Sequence, residues 1–62
     1  MQKNAKDQLQ SACTQLQSVQ SSLNMALSSV EKPDNKKYIQ STLSAVENAL
    51  STANTAVSDY KD

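Results

Sequence analysis

Glu31-Lys32-Pro33-Asp34-Asn35 stands at the middle of this 62-residue chain, and its reading decides the fold. Proline drives the residue before it out of helical geometry, and Asp and Asn favour turns and helix starts. On either side of this break the apolar residues fall into a regular pattern. Upstream they are Ala5, Leu9, Ala12, Leu16, Val19, Leu23, Ala26 and Val30; downstream they are Ile39, Leu43, Val46, Leu50, Ala53, Val57 and Tyr60. Both runs alternate four-residue and three-residue steps. A mean step of about 3.5 keeps one apolar seam of a helix turned toward a partner helix, as in a coiled coil. The sequence therefore predicts an all-α chain: an antiparallel hairpin of two long helices.

The ends of each element follow from capping chemistry. Asn4 with Asp7 three residues on is an N-terminal signature, so helix 1 is expected over about 4–31. The turn falls at about 32–34. Pro33 either precedes an Asp34 N-cap or is itself the first helical residue, and helix 2 runs over about 34–60. The whole of 1–62 forms one hairpin domain. A link of so few residues makes the helices antiparallel neighbours, each roughly 40 Å long.

With Leu9 at heptad position a, helix 1 carries Leu9, Leu16, Leu23 and Val30 at a, and Ala5, Ala12, Val19 and Ala26 at d. One column is large and the other mostly small, an arrangement that lets helix axes approach closely. Helix 2 carries Leu43, Leu50 and Val57 at a, with Ile39, Val46, Ala53 and Tyr60 at d. Each stripe also widens, helix 1 through Cys13 and Leu27 at e, helix 2 through Ala49 and Ala56 at g. In an antiparallel pair e lies beside e and g beside g. These extensions therefore do not meet within one hairpin, and a second pair of helices could use them.

Composition limits the functional classes. There are six lysines, six acids and no arginine, for a net charge of zero. Nothing in that balance attracts nucleic acid or an anionic membrane. No apolar run is long enough for a membrane span or a signal-peptide core. The expectation is a cytoplasmic protein, or one exported without a cleaved leader. The chain has no His, no Gly and a single Cys, Cys13. That inventory supplies no intrachain disulfide, no metal cage, no Ser-His-Asp set and no phosphate-cradling loop, so no metal, no cofactor and no enzymatic activity are expected. The carboxylates Asp7, Glu31, Asp34, Glu47, Asp59 and Asp62 lie mostly near element ends and none occupies the seam.

Individual features read as follows. Cys13 is a small semi-buried hydrophobe with nothing basic within a turn to activate it. Lys32, Lys36 and Lys37, beside Tyr38, are offset by Glu31 and Asp34 and form a solvated turn. Leu27 widens the core, whereas Met25 is an isolated exposed apolar residue. Asp59-Tyr60-Lys61-Asp62 matches the start of a common epitope tag, but Tyr60 continues the heptad and is expected at the bundle end with its hydroxyl in water.

Once the hairpin is drawn, three resemblances appear. The layering of small and large seam residues resembles the plasmid copy-control bundle, a dimer of helical hairpins. That likeness implies shape and not RNA binding, because the basic and aromatic residues such binding uses are missing from 8–30. Gln15-Leu16-Gln17-Ser18-Val19-Gln20-Ser21-Ser22-Leu23, with Lys36-Lys37-Tyr38 opening helix 2, is similar to short uncharacterised helical-hairpin proteins of endospore-forming bacteria, which implies a bacterial protein and no known activity. Lys32-Pro33-Asp34 and the polar second helix resemble the needle subunits of bacterial injection machines, which are longer and carry an N-terminal Trp segment.

These readings converge on association. Chains this small usually need a disulfide, a metal or oligomerisation, and only the last remains. A homo-oligomer is expected, most simply a dimer forming a four-helix bundle. Its seam would consist of Leu9, Ala12, Leu16, Val19, Leu23, Ile39, Leu43, Val46, Leu50 and Val57. The function expected is that of a non-enzymatic protein acting by self-association or by binding another protein. The alternative is a subunit of a helical filament or secretion-needle-like assembly, suggested by uncharged Gln, Ser and Asn faces that give copies little mutual repulsion.

Overall fold

The computed structural model of the protein describes residues 4–61. Among them lie two helices and no strand: α1, Ala5–Ser29, and α2, Pro33–Ser58. At 1.5 Å per residue, their 25 and 26 residues make rods just under about 40 Å long. The Cα atoms span 47 × 21 × 11 Å. A long axis close to one helix length requires α2 to return alongside α1, and the fold is a helical hairpin one layer thick.

Asn4 caps α1 as its sequence context predicts. Its backbone is extended and its Oδ1 accepts a hydrogen bond from the Asp7 amide at 2.8 Å. The exit comes earlier than the sequence suggests. Val30 is already extended at φ −70°, ψ 138°, although its amide still donates to the Ala26 carbonyl at 2.9 Å. Packed helix axes lie about 8–10 Å apart, and two or three extended residues at about 3.3–3.6 Å each are what bridge that gap. Two helical residues there would leave the link too short.

Lys32 is extended at φ −83°, ψ 130°, as its neighbour Pro33 demands, and Pro33 takes the first helical position. Of the two starts the sequence permits, α2 uses the one in which Asp34 lies in the first turn and is not the cap. The Lys32 side chain makes no capping hydrogen bond, and the first bond of the helix is backbone, Lys36 amide to Lys32 carbonyl at 3.0 Å. α2 ends at Ser58, with the Asp59 amide donating to the Thr55 carbonyl at 2.9 Å. Tyr60 lies just beyond the helix and is half-buried. Asp62, the last carboxylate of the sequence, lies outside the described residues.

Several hydroxyls bond back to their own helix. Thr14, Ser28 and Thr42 donate to the carbonyls of Gln10, Asn24 and Tyr38 at 3.2, 3.1 and 2.8 Å. Such i−4 bonds satisfy the hydroxyl locally while adding nothing between helices. The cohesion of the hairpin comes from its apolar contact.

Candidate association surface

On α2 the residues turned toward α1 are those of the heptad: Ile39, Leu43, Val46, Leu50, Ala53 and Val57 are all half-buried, as is Tyr60. The α1 side is different. Its covered row is Lys6, Leu9, Cys13, Leu16, Gln20, Leu23, Leu27 and Val30, all half-buried except Cys13, which is 7% exposed and the one buried residue described. This row joins the a column to the e column. The d column faces outward instead: Ala5, Val19 and Ala26 are exposed and only Ala12 is half-covered. Val19, expected in the seam, is 43% exposed.

Compared with the a/d reading, α1 is thus turned by about 50°, half of one residue step. Side-chain volume explains the rotation. Turning the e column inward covers Leu27 and Cys13; turning the d column inward would cover Ala26 and Ala12, which remove far less apolar area from water. The polar member of the e column, Gln20, is accommodated at the margin. Its Nε2 donates to the Oε2 of Glu47 on α2 at 3.2 Å.

That hydrogen bond fixes which flanks share a side of the layer. Gln10, Gln17 and Asn24 of α1 lie with Gln40, Ser44, Glu47 and Asn54 of α2 on one broad face, all exposed. The opposite side carries Ala5, Ala12, Val19 and Ala26 of α1 with Ala45, Ala49 and Ala56 of α2, and among them Gln8, Gln15, Ser22, Thr42 and Thr52. Apart from Ala12 these too are exposed. Every alanine of the chain except Ala53 is therefore on the second face. The hairpin has an amide face and an alanine face. Sequence reasoning assigned Ala5, Ala12, Val19 and Ala26 to the internal seam and did not single out Ala45. The signal lay in the widening of both stripes, since a helix apolar over a broad arc has more than one surface to cover.

Two further exposed apolar side chains, Met25 at 70% and Tyr38 at 73%, lie near the link end of the hairpin. Among the described residues there is no pocket and no group of three or more His, Cys, Asp or Glu that could hold a metal ion. No described helix is long and apolar enough to cross a membrane. Comparison with known protein families, curated proteins and solved structures gives no match.

Proposed function

We propose that this protein is a non-catalytic assembly module whose hairpin pairs with a second copy, the simplest product being a four-helix bundle of two antiparallel hairpins. One observation carries the reading: the hairpin covers too little of its own apolar surface. Among the described residues no side chain is fully buried, and only Cys13 is buried at all. The chain exposes 4894 Å², whereas a compact monomer of 6.7 kDa exposes about 3900 Å². Its radius of gyration is 14.5 Å against about 11 Å for a compact chain of this length. The excess of about 1000 Å² is close to the roughly 800 Å² that each partner covers in a standard interface. A lone thiol such as Cys13 stays reduced in the cytoplasm, which we take as the site of action.

Light scattering coupled to size exclusion, over a hundredfold range of concentration, tests this. A fixed dimer mass at the upper end supports the proposal, and monomer throughout the range rejects it. A second reading, a subunit of a helical filament, is favoured by the absence of any charged residue between Gln8 and Val30 and by a single one, Glu47, between Tyr38 and Ser58. Electron microscopy of concentrated protein separates the two: fibres of uniform width support the filament, discrete particles the closed dimer.

A further inference from the structure

We propose that the alanine face is the surface on which the second copy docks, with Val19 and Ala49 near its centre. This inference rests on the self-association reading and adds to it which of the molecule's surfaces is used.

Area comes first. The Cα extents give the layer a broad face of 47 × 21 Å, a plan of about 1000 Å², and an edge of 47 × 11 Å, about half of that. Only a broad face reaches the roughly 800 Å² per partner of a stable dimer. Desolvation then decides between the two broad faces. The amide face would bury Gln17, Asn24, Gln40 and Asn54, each bringing donors and acceptors that need partners, together with the Glu47 carboxylate. The opposite face brings fewer amides, Gln8 and Gln15, and its Thr42 hydroxyl is already bonded to the Tyr38 carbonyl; the rest is Ser22, Thr52, alanine methyl groups and the Val19 side chain, 43% exposed. Its small side chains let two layers approach closely, which compensates in contact density for what they lack in individual area.

Charge agrees with this choice. Two copies related by a two-fold axis bring the same patch to itself, so any charge near the axis would meet its like. From Gln8 to Ser29, α1 offers none; on α2 the one charge of the central stretch, Glu47, lies on the other face. The rotation of α1 is the last element. By turning Leu27 and Cys13 inward it leaves Val19 and Ala26 exposed and Ala12 half-covered, so hairpin formation itself creates the docking surface.

Two pairs of substitutions test the assignment: Val19→Glu with Ala49→Glu on the alanine face, and Gln17→Glu with Ser44→Glu on the amide face. Glutamate is a good helix former, so neither pair opposes the helices. The alanine-face pair is expected to weaken dimerisation about a hundredfold or more in light scattering; the amide-face pair leaves it within a few-fold of the parent. A parent dimer that survives the first pair, or falls apart only with the second, overturns the face while leaving self-association intact. A parent that is monomeric throughout removes both. Because loss of pairing can also unfold the hairpin, thiol labelling supplies an independent readout. In a Cys13→Ala background, a cysteine at Ala49 should alkylate at least about tenfold more slowly at dimeric than at monomeric concentration, and a cysteine at Ser44 equally fast at both. Equal rates for both cysteines at both concentrations overturn the assignment.

Discussion

The two helices of this hairpin meet along a shared contact but divide their apolar residues differently. α2 turns all its large aliphatic side chains to α1, and apart from Tyr38 its outer columns keep only alanines and polar residues. α1 is apolar over a wider arc than one neighbour can cover. It turns Leu9, Leu16, Leu23 and Leu27 inward and leaves Val19 and the alanines of the d column outside. The difference teaches that α2 is completed by the hairpin and α1 is not. A second copy is proposed to find its place on the side where α1 is incomplete.

The sharpest way to break that contrast is to remove a residue from the contact itself. Leu50→Ala on α2 and Leu16→Ala on α1 should each cost about 2–3 kcal/mol, the lower part of the usual range because both sites are half-buried. In so small a fold this abolishes cooperative thermal unfolding followed by circular dichroism. A Leu16→Ala variant with the parent's midpoint would disprove the contact as described.

Next in size is a comparison between the inward and outward columns of α1. Leu27→Ala should cost about 2 kcal/mol in chemical denaturation at every protein concentration, since it empties the hairpin's own contact. Val19→Ala should cost less than about 1 kcal/mol when dilute and, if copies pair as proposed, more when concentrated, since Val19 is still 43% exposed in the single hairpin. Equal losses at both sites would place Val19 in the internal contact after all.

A smaller effect separates the two helix starts. α1 is capped by the Asn4 side chain and α2 has no side-chain cap. Asn4→Ala should lower stability by about 1 kcal/mol, and Lys32→Asp should raise it by about 0.5–1 kcal/mol by supplying the missing acceptor beside Pro33. Smallest is Ser18→Ala on the exposed surface of α1, expected to stay within about 0.5 kcal/mol of the parent.

Much of this architecture is legible in the chain. Pro33 and the run of four-residue and three-residue steps are enough to give two helices and a short link. On α2 the a and d columns hold all the large aliphatic residues, so period and volume select the same row. α1 offers two competing rows on either side of Leu9, Leu16 and Leu23. Period alone does not choose between Ala12-Val19-Ala26 and Cys13-Gln20-Leu27; the volume of Leu27 and the Gln20–Glu47 hydrogen bond do, and they come into play only when α2 is in place. The early exit of α1 at Ser29 has the same character, because the length of the link answers to the distance between helices and not to the preferences of Val30 or Glu31. The proposed association surface is legible only as a surplus of apolar columns, since a heptad seen on one chain does not say which chain lies opposite.

Thermal unfolding as a function of protein concentration tests the central claim most directly. If two copies complete one another, melting and dissociation are one event. The midpoint then rises by about 5 °C for each tenfold increase in concentration of a dimer of this size. A sharp transition at one temperature over a hundredfold range, with full helicity at the dilute end, would contradict it.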